Sequence, residues 1–161
     1  MKKTLYLLNL IFFTFFLNSC GYTPIFLTQD SKFVIEKEEL QGNKELALDF
    51  VNNIKNAQSN SGENKKRLIF IVDVKNEKTS SVKDVSGKTT TYKLEVIAET
   101  QVKDFLNNEL IYSDIFSASL NFENQDQMSD TLRLESIVTQ NLLKKLSNDF
   151  ILRINKFIKP S

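Results

Sequence analysis

One thiol and no imidazole bound the chemistry open to this chain. Cys20 is the single cysteine, and histidine is absent. The commonest general base and the commonest metal ligand are therefore missing, and neither a Ser–His nor a Cys–His pair can be built. The 4 glycines are scattered, so no glycine-rich phosphate cradle can be assembled. Glu36, Glu38 and Glu39 lie together, but in a solvated charge run. Serine and lysine are numerous, yet no spacing singles out a Ser–Lys dyad. The expectation is a non-enzyme with no catalytic residue and no metal site.

The thiol itself sits in an informative place. Lys2 and Lys3 are followed by Leu5 to Leu17, 13 nearly apolar positions interrupted by Asn9 and Thr14. Leu17-Asn18-Ser19-Cys20-Gly21 then closes the run. A basic head, a greasy middle and a small-residue exit make a secretory signal. An uncleaved transmembrane anchor is the other reading, but a bilayer crossing needs about 20 apolar residues and a run of about 10–14 fits a signal core. The exit looks like a bacterial lipobox, with Leu17 at minus three and Ser19 at minus one. In such signals the Cys20 sulfur takes a diacylglycerol, the leader is removed, and the new amino group is acylated. These covalent chains would be the only prosthetic groups. Gly21 follows the cysteine where an Asp would favour inner-membrane retention, so the outer membrane is expected.

The mature chain would run 142 residues from Cys20, with 19 basic and 20 acidic side chains. It is close to neutral, so no global field recruits nucleic acid or an anionic surface. A lipidated Cys20 can form no disulfide, so the fold must hold by its core, as a chain of this size can. Its 13 Phe and 4 Tyr supply ample aromatic mass for one.

The elements that must position any site read as follows. After an extended tether through Pro24 and a polar linker, Thr28 to Lys32, Phe33–Glu36 reads as a short strand. Gln41-Gly42-Asn43 breaks the chain, and Asn43 is placed to cap a helix carrying Leu46, Ala47, Phe50, Val51 and Ile54 on one face. Gln58 to Asn64 is a loop, and Leu68–Val74 is a central strand apolar on both parities. Lys78–Thr90 reads as a long hairpin loop or a disordered tip.

Next, Tyr92, Leu94, Val96, Ala98, Thr100 and Val102 alternate with Lys93, Glu95, Glu99, Gln101 and Lys103, the pattern of a sheet with one wet face. Asn107-Asn108 marks a turn. A final strand puts Leu110, Tyr112, Phe116, Ala118, Leu120 and Phe122 inward, with Asp114 out of pattern and expected near a sheet edge. The last segment predicts one long helix, capped by Asp126 or Ser129, with a stripe of Leu134, Ile137, Val138, Leu142, Leu146, Phe150 and Ile154. That stripe could be a membrane-surface or calmodulin-target face, but the sheet needs a cover. The expected fold is α+β, a two-layer β-α-β-β-β-α sandwich with two helices on one face of a four-stranded sheet. The expected domains are 1–19 as signal, 20–32 as lipidated tether and 33–161 as one α+β domain.

Cys20-Gly21-Tyr22-Thr23-Pro24 after a lipobox resembles the start of the alphaproteobacterial LptE family, the lipopolysaccharide-assembly lipoproteins. The body is similar in order too: Thr91-Tyr92-Lys93-Leu94, a strand ending Val102-Lys103-Asp104, a strand ending Phe116 to Phe122, and the amphipathic C-terminal helix. The resemblance covers nearly the whole mature chain. It implies a plug inside the β-barrel protein LptD that helps the barrel assemble, binds lipopolysaccharide and takes part in its delivery to the outer leaflet. The protein would face the periplasm and the barrel lumen.

A polar lumen would suit the wet strand face. Lipopolysaccharide phosphates would suit basic side chains, and Lys75, Lys78, Lys83 and Lys88 are candidate contacts around the long loop, though exposed lysines are also ordinary solvation. No binding residue other than Cys20 carries over from the family. The competing expectation is a free periplasm-facing lipoprotein, a ligand-binding or envelope-assembly chaperone module with an enclosed apolar pocket.

Overall fold

The computed structural model describes residues 32–58 and 65–158. Cys20, the signal and the tether through residue 31 lie outside the described residues. The elements run β1 (Phe33–Gly42), α1 (Lys44–Ala57), β2 (Lys66–Lys83), β3 (Thr89–Asp104), β4 (Leu110–Glu123) and α2 (Met128–Phe157). The strands form one mixed sheet in the order β1-β2-β3-β4, with β1 parallel to β2 and the other neighbours antiparallel. This is the expected α+β two-layer fold.

α1 forms where the sequence places it. The Asn43 side chain accepts from the Leu46 N–H at 3.3 Å, and the buried residues are the expected five. Gly42 ends β1 with φ +63°, a conformation that disfavours side chains. Its Cα lies so close to the Asp73 carboxylate and the Val74 carbonyl that a Cβ would clash with both. The Asn43 N–H then donates to the Val74 carbonyl at 3.0 Å, which lifts the chain off the sheet into α1.

Four expectations need correction. β1 extends to Gly42 rather than stopping at Glu36, because β2 supplies ladder partners as far as Val74 and a bulge at Glu36 absorbs the charged run. The segment from Lys78 is not a long loop: β2 continues to Lys83 against β3, leaving a tight turn at Asp84–Lys88. In that turn Asp84 Oδ1 accepts from the Ser86 and Lys88 N–H groups, and Gly87 supplies φ +84°. Neither Asp126 nor Ser129 caps α2, since the N-cap is Gln127 without a side-chain bond. The buried Thr131 hydroxyl instead fastens the helix start, accepting from the Gln125 N–H at 2.9 Å and donating to Asn124 at 3.1 Å. Finally, two leucines of β4 expected inward are not: a register shift after Val102 places Leu110 opposite Lys103, where it is largely exposed, and Leu120 is half-exposed.

β2, β3 and β4 send Leu68, Phe70, Val72, Val74, Leu94, Val96, Ala98, Val102, Tyr112, Phe116 and Phe122 under the helices. α2 meets them with Val138, Leu142, Leu146, Phe150 and Ile154, as expected, and adds Leu143 and Ile151. Ile137, expected in the stripe, is half-exposed. Ser147, fully buried, donates to the Phe50 carbonyl of α1 at 3.1 Å, a link that a small side chain allows by letting the helices approach. Among the described residues no helix is long and apolar enough to cross a membrane.

Phe150 is the hub of this interface. It is fully buried, with Phe50, Phe70, Tyr112 and Phe116 around it at ring-centroid distances of 6.0, 5.3, 6.1 and 5.7 Å, all edge-on. Edge-to-face pairs add to the burial of the rings themselves. Phe150→Ala should lower unfolding stability by about 3–5 kcal/mol, a large share of the ~5–15 kcal/mol typical of a domain. Urea denaturation followed by circular dichroism checks this, and a loss below about 1 kcal/mol would remove Phe150 from that role.

Candidate functional site

The period-2 alternation of β2, β3 and β4 leaves the second face of the sheet uncovered, and this face is the candidate site. Cross-strand pairing places its residues in rows: Glu39, Ile71, Gln101 and Ser113; then Gln41, Asp73, Glu99 and Ile115; then Lys75, Ile97 and Ser117. The charges on it are mostly paired. Lys37 meets Glu39 at 2.8 Å, Lys93 meets Glu95 at 2.9 Å, and Lys75 lies 3.5 Å from Asp73 and 3.7 Å from Glu99. Such exposed pairs contribute about 0–1 kcal/mol each, so they serve the surface's character more than its stability. A shallow depression of about 160 Å³ lies between Gln41, Asp73, Glu99, Gln101, Ser113 and Ile115.

The four candidate lysines do not converge. Lys75 and Lys78 belong to β2 rather than to a loop, and they point to opposite faces. Lys75 joins the open-face pairs just described, whereas Lys78 reaches the helix layer, where it pairs with Glu135 of α2 and lies 5.3 Å from the Tyr92 ring centroid. Lys83 and Lys88 flank the exposed tip of the β2–β3 hairpin. There the Asp84 carboxyl is held below its usual range, first by the Ser86 hydroxyl and also by the nearby Lys88. Two cations at that tip are the largest group these four could form. Among the described residues, no cluster of acidic side chains is arranged to hold a metal ion.

Sequence reasoning missed a clamp at the sheet edge. Asp114 Oδ2 accepts from the Tyr112 hydroxyl at 2.7 Å and from Arg153 of α2 at 2.8 Å, while the Arg153 guanidinium lies over the Phe116 ring at 4.8 Å. The apolar parity of Asp114 was the one available signal. It faces the helix layer from edge strand β4, where a carboxylate can meet an arginine and still reach water. The Tyr112 hydroxyl and then Arg153 hold its carboxyl below the ordinary value. Burial, followed by the Asp114 bond, pushes the Tyr112 phenol up to about 12.

A carboxyl with a depressed folded value stabilises the fold at neutral pH and loses that contribution as pH falls through the depressed value. For Asp114 the loss comes below about pH 4. Asp114→Asn should therefore cost about 1 kcal/mol at pH 7, with the gap from the parent narrowing toward pH 3. Urea midpoints at the two pH values check this, and a gap that stays constant would contradict the charge-based account.

The sequence matches no protein-family model, and no curated protein matches it. The fold does have relatives among solved structures. Lipoprotein B from Nitrosomonas europaea is 13% identical with a TM-score of 0.57, over 81% of this chain and 90% of that one. Rare lipoprotein B from Shewanella oneidensis is 12% identical with a TM-score of 0.53, over 74% and 93%. A minor lipoprotein from Acinetobacter baumannii is 16% identical with a TM-score of 0.53, over 76% and 91%. At these identities the likeness is one of fold: this chain carries the same helix-backed sheet as several bacterial lipoproteins.

Proposed function

We propose that this chain is a bacterial outer-membrane lipoprotein of the LptE kind, held by acyl chains on Cys20, that plugs and helps assemble the LptD β-barrel for lipopolysaccharide transport. The observation that carries the reading is a conjunction: a fold shared with three solved lipoproteins follows a lipobox in the same chain. The open sheet face adds support. Its paired charges, serines and glutamines suit contact with the polar wall of a barrel lumen. The helix–sheet interface argues against the ligand-binding alternative, because Phe33, Phe50, Phe70 and Phe150 occupy it at no more than 1% exposure. In this role the protein is a binding and assembly partner, not an enzyme, and Lys83 with Lys88 is the pair best placed to meet a lipopolysaccharide phosphate.

Two experiments test the reading at separate points. Cys20→Ser should abolish lipidation, because a hydroxyl replaces the thiol that takes the diacylglycerol, leave the leader attached or mis-cut, and lower the share of the protein in the membrane fraction. Each buried CH₂ of an acyl chain holds by about 0.8 kcal/mol, and stable anchoring takes more than one chain. An unchanged membrane fraction would defeat the lipid anchor. Affinity purification of the wild-type protein in mild detergent should bring down a large outer-membrane barrel, and depleting the protein should leave that barrel misassembled. Recovery of the protein without any barrel would defeat the plug role while leaving the anchor intact.

A further inference from the structure

The two ends of the sheet are not equivalent. At one end the first described residue, Lys32, accepts through its carbonyl from the Lys66 N–H at 3.0 Å, and the Arg67 carbonyl accepts from the Phe105 N–H at 3.1 Å. The Phe157 ring from the last turn of α2 lies 5.0 Å from Tyr112 at the same end. The start of β1, the start of β2, the β3–β4 turn and the end of α2 therefore meet here, where the tether enters the fold.

This end displays apolar side chains to water. Leu106 is 82% exposed, Leu110 53% and Phe157 58%. Leu106 is not a loose excursion. Its N–H donates to Asp104 Oδ1 at 2.8 Å, the Asn108 N–H donates to the Asp104 carbonyl at 3.0 Å, and Asn108 takes φ +62° to close the turn. The turn holds a leucine outward by design of its backbone. Beside these residues stand the cations Lys32, Lys66 and Arg67, each with one partner already: Lys32 Nζ donates to the Asn155 carbonyl at 3.5 Å, Lys66 pairs with Asp104 at 3.2 Å, and Arg67 pairs with Glu36 at 3.0 Å and stacks over Phe105 at 4.2 Å. An ammonium has three donors and a guanidinium five, so each can still meet a second acceptor. Apolar tips rimmed by long basic side chains suit a bilayer boundary, where the tips enter the acyl edge and the cations stay at headgroup level.

Exposed apolar residues also occur at the far end, among them Val85 at the hairpin tip. The length of the tether decides between the ends. The twelve residues beyond Cys20 that lead to Lys32 span at most about 43 Å fully extended, whereas β3 alone is about 54 Å long. With a lipid on Cys20 the domain therefore cannot stand on its hairpin tip, and of the two ends only the Lys32 end can meet the membrane.

We propose that this end of the domain docks on the phospholipid surface, with Leu106, Leu110 and Phe157 entering the headgroup–acyl boundary and Lys32, Lys66 and Arg67 lying among the phosphates. The inference rests on the lipid-anchor reading of Cys20 and concerns the anchored protein before it is seated in a barrel, to which it gives a fixed orientation.

The chain contains no tryptophan, so one introduced indole reports without background. Leu106→Trp and, separately, Val85→Trp are made in the lipidated chain, which is reconstituted in phosphatidylethanolamine–phosphatidylglycerol vesicles. Both positions are exposed, so neither change disturbs the core. The Leu106→Trp emission should shift to the blue and lose most of its intensity when the lipids carry bromine on their acyl chains. The Val85→Trp emission should stay water-like and unquenched. If Leu106→Trp floats with the vesicles yet keeps a water-like, unquenched spectrum, the docking inference is overturned and the anchor stands. If the lipidated preparation does not float with vesicles at all, both fall.

Discussion

The structure depends on one buried aromatic ring, Phe150, and on the four rings that meet its edges. Phe50 comes from α1, Phe70 from β2, and Tyr112 and Phe116 from β4. Phe33 of β1 joins through Phe70 at 5.6 Å. A single side chain of the long helix thus ties the other helix to an internal strand and to both edges of the sheet. Without a disulfide among the described elements, this interlock and the aliphatic rows beside it must hold the two layers together. Ser147, one turn before Phe150, brings the helices close enough for the hub to form.

Covering one face so completely leaves the other face open to solvent. The same alternation that buries Leu94, Val96, Ala98 and Val102 sets Lys93, Glu95, Glu99 and Gln101 on the open side. There the charges neutralise one another in pairs, which yields a polar surface without a strong field of either sign. Such a surface suits contact with a polar wall better than capture of a polyanion by charge alone. The Asp114–Arg153 clamp pins the far half of α2 to edge strand β4, so the helix layer stays in register with the face it backs.

The sheet also has direction along its strands. β1 leaves at Gly42, opposite Val74, so the β2–β3 hairpin projects beyond it to a polar turn carrying Lys83 and Lys88. The opposite end receives the tether and displays Leu106, Leu110 and Phe157. One end of the sheet is thus a projecting hairpin tip and the other a base with exposed apolar side chains.

Local patterns were legible in the amino-acid order because their causes are local. The Asn43 cap, the five core residues of α1 and the alternation in β3 each follow from a few neighbouring side chains and a fixed helical or strand period. What depended on distant partners was not legible. The charged half of β1 and the polar half of β2 are strands because β2 and β3 offer them ladders, not because their own residues favour extension. The parallel placement of β1, the dispersal of Lys75 and Lys78 to opposite faces, and the meeting of Asp114 with Arg153 across 39 positions arise only when the layers close. Sequence alone therefore determined which elements form and which of their faces turn inward, since periodicity encodes burial. Tertiary structure decided where those elements end and which charges meet, since strand pairing and ion pairing join residues the chain keeps far apart.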